Sequence, residues 1–267
     1  MPNHVTNVVT FSGKDAHKVL MNFINKEGEF DFNKIAPVPK ELNIEDNSLT
    51  DNIARLLRGL KPLYIKNLPD DTNEALNYLK NKMGNEYPKH LNNAKQYNTN
   101  IEKYGFKTWY DAKISMWGTK WNAYSQHIPL IEYPKERFTG TKNKFGYRHK
   151  TAYSKRVIKK QQKRYEITEI HFETAWCTPV GIWNTLCTLL PEGVTVNVKY
   201  ADEDIGCNCG EFSFNNKGAI FENAAPDYNL ATIEESRYWT KFAFNIVNNG
   251  SNPREYGYDD NWDYVGE

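Results

Sequence analysis

Residues Val5 to Phe11 carry β-branched and aromatic side chains without a breaker, a pattern that predicts a strand. Ser12-Gly13-Lys14-Asp15 follows and offers an N-cap with an acid three residues on. Val19, Leu20, Phe23 and Ile24 then recur at helical spacing, so a helix with one buried face is expected after the strand.

From about residue 27 to 116 the pattern changes to loop and helices. Pro37 and Pro39 fix an extended segment, Ile53, Leu56, Leu57 and Leu60 mark one amphipathic helix, and Leu76, Leu79 and Met83 mark a second. Thr108 caps a third, which carries Trp109, Ala112, Ile114, Met116 and Trp117 and ends at Gly118. A strand from Trp121 to Ile128 comes next.

Beyond a long polar stretch, Glu166 to Trp176 alternates: Ile170, Phe172, Thr174 and Trp176 on one face, Glu169, His171 and Glu173 on the other. The second face is therefore wet and acidic. Thr178-Pro179 starts a helix whose buried stripe is Val180, Trp183, Leu186, Cys187 and Leu190, and Pro191-Glu192-Gly193 stops it. Val194, Val196, Val198 and Tyr200 alternate with Thr195, Asn197 and Lys199 as a strand. Glu211 to Phe214 and Ala219 to Glu222 flank Asn215-Asn216-Lys217-Gly218 as a hairpin. A C-terminal helix runs from about Ile233 to Asn249, with Gly250 at its end.

Strand, helix, interruption, strand, strand, helix, strand is the order of a split βαβ sheet. The predicted class is α+β. A ferredoxin-like core (residues 1–26 and 117–214) holds a helical insertion after its first helix (27–116) and a basic insertion between its middle strands (129–165). Residues 215–267 add the hairpin, the C-terminal helix and an acidic tail.

Composition changes this picture in two ways. Of 267 residues, 39% are hydrophobic and 14% aromatic, so the core is strongly aromatic and needs no covalent staple. The net charge of +1 conceals a segregation. Between Lys135 and Arg164 twelve Lys or Arg stand against one acid, a local excess of +11; from Tyr200 to Glu267 thirteen acids stand against four bases, an excess of −9. No apolar run approaches the roughly 20 residues of a membrane span. The amino terminus has no secretory pattern, so a cytoplasmic location in the host cell is expected, with Cys177, Cys187, Cys207 and Cys209 reduced.

Several blocks resemble a known family. These are Met1-Pro2-Asn3-His4-Val5-Thr6-Asn7, Phe32 with Ile35-Ala36-Pro37-Val38-Pro39-Lys40-Glu41-Leu42, and Trp117-Gly118-Thr119-Lys120-Trp121-Asn122-Ala123-Tyr124. Phe172-Glu173-Thr174-Ala175-Trp176 with Pro179, and Tyr200 to Gly206, complete the set. The pattern is similar to the YubB ferredoxin-like family of plasmid and phage proteins and reaches from residue 1 to about 214, with Trp117 to Tyr124 its most specific part. The resemblance implies a mobile-element origin and a ferredoxin-like fold. It supplies no catalytic residues. The basic stretch stands where that family has a short connection, and the segment after about residue 225 is also additional.

The basic stretch is the sharpest chemical signal. Lys142, Lys144, Arg148, Lys150, Lys155, Arg156, Lys159, Lys160, Lys163 and Arg164 can neutralise phosphates, while the interleaved Phe138, Phe145, Tyr147 and Tyr153 can stack on bases. The plainer reading is a solvated basic element pairing with the acidic C-terminal third. Recognition on the sheet itself is not expected, because Glu169 and Glu173 repel phosphate and no RNA-binding aromatic motif occurs. Trp109, Lys120, Trp121, Asn122 and Tyr124 form a candidate stacking pocket, weighed against aromatic core. Trp117 and Trp176 read as core.

Cys207-Asn208-Cys209 has no second pair at zinc spacing, and Asp202-Glu203-Asp204 reads as a solvated turn and not as a magnesium site. No metal or cofactor is expected. A catalytic reading requires His4, Asp202 to Asp204 and Lys120 to meet in one pocket. The function expected is that of a non-enzymatic phage or mobile-element accessory protein that contacts nucleic acid or a ribonucleoprotein through the basic insertion. The alternative is an antagonist of a host or defence protein.

Overall fold

The computed structural model describes residues 2–63, 65, 67–128, 167–227 and 229–266. The chain divides into two compact units, Met1–Pro37 with Trp117–Glu267, and Val38–Met116. The whole of the basic insertion, 129–165, with all the cations named in it, lies outside the described residues.

The first unit is built on β1 (His4–Gly13), α1 (Ala16–Asn22), β2 (Tyr124–His127), β3 (Glu169–Ala175), α6 (Val180–Leu189) and β4 (Val194–Asp202). The sheet order among the described strands is β2-β3-β1-β4-β5-β6, with every neighbouring pair antiparallel; β5 is Gly210–Asn215 and β6 is Gly218–Ala224. The first four positions in that order are the ferredoxin-like arrangement. The hairpin extends it beyond β4, and a C-terminal helix, α7 (Ile233–Val247), follows.

Alternation selects the buried face. Val9 pairs with Ile170 on one side and Val198 on the other, and all three are buried, so one register aligns an apolar layer across three strands. A slip by one residue would turn that layer to solvent. Helix α6 closes this face: the Trp183 ring lies 6.2 Å from Phe172 and 6.3 Å from Phe214. The tight approach of β1 to the turn before β4 depends on Gly13, at φ 106°, where a Cβ would sit 2.0 Å from the Gly193 carbonyl oxygen.

The opposite face is covered in part by α7, which sets Trp239 and Ala243 against Ala201 and Cys209. A capping box starts this helix, the Thr232 side chain and the Glu235 carboxylate exchanging bonds with each other's backbone N–H. The tail after it is ordered by rings and one bidentate ion pair. Phe244 contacts Tyr256, Tyr258 and Trp262, and Arg237 donates to both carboxylate oxygens of Asp263.

The second unit is helical: α2 (Ser48–Leu57), α3 (Thr72–Met83), α4 (Tyr87–Tyr104) and α5, whose span Trp109–Trp117 ends at the first unit. Ile53, Leu56, Ala75, Leu79, Ala94 and Tyr97 make its core. Helix α4, the longest among the described residues, escapes the sequence pattern because its buried positions are Tyr87, Ala94, Tyr97 and Asn100, with no aliphatic stripe to count. Asn100 donates to the carbonyls of Glu41 and Lys107, and the Tyr97 hydroxyl donates to Glu45.

Three expectations need correction. Trp176 is 40% exposed and not core, because β3 ends at Ala175 and the chain turns before the alternation can continue. Val180 is 52% exposed: it opens α6 outside the sheet-facing stripe that Trp183 and Leu186 define. The strand expected from Trp121 is limited to Tyr124–His127, since Asn122 and Ala123 are drawn into side-chain bonds.

Candidate functional site

At one end of the sheet, the starts of β1 and β2 meet the ends of β3 and β4. The register pairs His4 with Ala175, Thr6 with Glu173, and Tyr124 with Glu173. Side chains alternate along each strand, so His4, Tyr124 and Glu173 share the face opposite the buried Val5 and Thr174. His4 Nδ1 lies 2.7 Å from the Tyr124 hydroxyl oxygen and 3.7 Å from Glu173 Oε2, and the two rings meet edge to face. Burial pushes the Tyr124 hydroxyl up to about 12, and the Glu173 and Glu203 charges push in the same direction. The phenol therefore keeps its proton at neutral pH, and its bond to His4 positions the two rings.

Glu203 fastens the corner from β4. Its Oε1 accepts from the His4 N–H at 3.1 Å, and its own N–H donates to the His4 carbonyl at 2.9 Å. Asp202 lies beneath and is only 4% exposed. The expectation of a solvated three-acid turn is corrected here: Asp202 Oδ1 accepts from Asn3 Nδ2 and the Asp204 N–H, and Oδ2 accepts from Asn208 Nδ2. These bonds offset the cost of burying a carboxylate.

Asn208 also reaches the segment after β3. Its Nδ2 donates at 2.8 Å to the carbonyl of Trp176, whose N–H donates to the Asn3 carbonyl. Trp176 is thereby held at φ 72°, in the left-handed region that bulky side chains avoid. Asn208 and Ser125, the neighbour of Tyr124, also have positive φ, so half of the six such non-glycine residues among the described ones lie at this end of the sheet. The strained backbone turns the Trp176 indole outward.

Lys120 joins the two halves. Its Nζ lies 5.1 Å from the Trp121 ring centre and 5.7 Å from that of Trp176, within cation–π range of both. Trp121 meets Tyr124 edge to face at 5.8 Å. The segment bearing Lys120 is set from below by Trp117, which donates from Nε1 to the Ala36 carbonyl, and by Thr119, which donates to the Ala175 carbonyl.

Of the residues named as a stacking pocket, Lys120, Trp121 and Tyr124 lie together, and His4, Glu203 and Trp176 join them. Trp109 belongs to α5, where it meets Tyr110 edge to face and takes the Lys113 ammonium over its ring. Asn122 is a brace: its Oδ1 accepts from the Phe32 and Ala123 N–H groups and its Nδ2 donates to Asp31. His4, Asp202 to Asp204 and Lys120 do gather at one end of the sheet, but Asp202 is taken up in bonds and Lys120 faces indoles. The arrangement suits recognition through rings and hydrogen bonds.

Cys177, Cys207 and Cys209 are held protonated at neutral pH. Burial pushes the Cys209 thiol up to about 12 and raises Cys207 and Cys177, the last of which donates to the Gly118 carbonyl. Among the described residues no group of three or more His, Cys, Asp or Glu is placed to hold a metal ion. No helix among them is long and apolar enough to cross a membrane.

Local sequence pattern does not pair His4 with Tyr124, 120 residues away, nor Trp176 with Asn208. The one local signal was the density of Trp, Lys and Tyr from Trp117 to Tyr124.

Residues 155–242 match a protein family described as a ferredoxin-like domain in Api92-like protein. No curated protein and no solved structure matches the chain. The matched residues include β3, α6, β4 and the β5–β6 hairpin, and the chain is accordingly an α+β protein with a ferredoxin-like domain.

Proposed function

We propose that this chain is a non-enzymatic accessory protein of a phage or other mobile element that contacts nucleic acid or a nucleoprotein. The observation that carries this reading is the +11 excess between Lys135 and Arg164, inserted between β2 and β3 and interleaved with four aromatic residues. The sheet supports it indirectly. Glu169 and Glu173 stand on the outward face of β3, so the charge needed to hold phosphates is concentrated in the insertion.

The test is titration of the full chain against single-stranded and duplex oligonucleotides at 50 mM and 200 mM salt. Binding that weakens at least tenfold across that range supports the reading, because each neutralised phosphate releases counterions. Reversal of Lys155, Arg156, Lys159, Lys160, Lys163 and Arg164 to Glu is expected to abolish it. Absence of binding at the lower salt overturns the reading and leaves the antagonist of a host protein as the surviving one.

A further inference from the structure

We infer that Trp176, with Lys120 behind it, is a stacking site for an unpaired base of single-stranded nucleic acid. The inference rests on the nucleic-acid reading above and deepens it.

Three features of the site converge on this ligand. The Trp176 indole is 40% exposed and is presented by a left-handed backbone that costs about 1 to 2 kcal/mol to hold. The strain falls just past the end of β3 at Ala175. It is maintained by Asn3 and by Asn208, the latter anchored on the buried Asp202. The backbone thus holds a flat ring out at a fixed angle, which lowers the entropy lost when a second ring stacks on it.

Charge decides the class of ring. The Lys120 ammonium already lies over Trp176 and Trp121, and its positive charge opposes a second cation on the same indole. A lysine or arginine of a partner is disfavoured for that reason. An electron-rich base is favoured, with its phosphate on the Lys120 side. Glu173 and Glu203 keep the phosphate chain from lying across the His4–Tyr124 corner, so the contact is to a single base at the rim and not to a strand laid over the sheet. A duplex offers no free base face, so the site discriminates single strands from duplexes.

The test uses the full chain and two probes, a mixed-sequence single-stranded 20-mer and its duplex, with tryptophan fluorescence and anisotropy as readouts. The single strand is expected to quench tryptophan emission. Trp176→Ala is expected to weaken single-strand binding by about five- to a hundredfold and to leave duplex binding and the salt slope unchanged. Trp176→Phe, which keeps a smaller ring, should recover part of the loss, and circular dichroism checks that both variants fold. Equal weakening of single-strand and duplex binding, or none, overturns the stacking site while the basic stretch can still account for binding. Failure of the wild-type chain to bind either probe at 50 mM salt overturns both readings together.

Discussion

His4 Nδ1 lies 2.7 Å from the Tyr124 hydroxyl oxygen, a contact between residues 120 apart in the chain that ties the start of β1 to the start of β2. Because the phenol is pushed up to about 12, it is held protonated in the folded state, whereas the unfolded chain loses that proton near pH 10. The sign follows from linkage. The contribution of this group is complete below pH 10 and is lost as pH rises toward 12. Tyr124→Phe is expected to lower stability by about 1 kcal/mol at pH 7, measured by urea unfolding. A wild-type-minus-variant absorbance titration should place one phenol near pH 12.

Trp176 offers a test of strain against packing. At φ 72° glycine avoids the clash that alanine suffers, so Trp176→Gly should be more stable than Trp176→Ala by about 1 kcal/mol, although glycine gains more freedom on unfolding. Denaturant midpoints of the two variants decide it. The reverse order would show that the backbone relaxes once the indole is gone.

Asp202 is the anchor under that segment. Asp202→Ala removes the acceptor of the Asn3 amide and the Asp204 N–H and one of the two acceptors of the Asn208 amide, and about 2 to 4 kcal/mol of destabilisation is expected. The same variant should broaden the Trp176 indole resonance in a ¹⁵N–¹H spectrum, because the bond from Asn208 to the Trp176 carbonyl loses its support.

Gly13 tests the close approach of β1 to the turn before β4. A methyl group there would lie 2.0 Å from backbone oxygen, which cannot swing aside as a side chain would. Gly13→Ala should cost about 3 kcal/mol or prevent folding, whereas Gly250→Ala, with open space around its Cβ position, should cost only the penalty of its positive φ, about 1 kcal/mol. Thermal melts of the two variants give the comparison.

The sequence alone determined the α+β class, the order of the ferredoxin-like elements, the hairpin and the C-terminal helix. Those features rest on periodicity and capping, which are local: Val194 to Tyr200 alternates whatever surrounds it, and Thr232 caps its helix through a residue three positions on. Helix α4 was not legible because its buried face is tyrosine, alanine and asparagine, and only the carbonyls of Glu41 and Lys107 make a buried Asn100 favourable. Trp176 was misread for the opposite reason. Alternation assigns it to the core, but a turn braced by Asn3 and Asn208 rotates it outward, and no local pattern encodes a brace drawn from residues 173 and 32 positions away. The candidate site is a product of strand order: antiparallel pairing of β1 with β3 and β4, and of β2 with β3, carries His4, Tyr124, Glu173 and Glu203 to one corner, and register, which depends on the whole sheet, decides which side chains face one another.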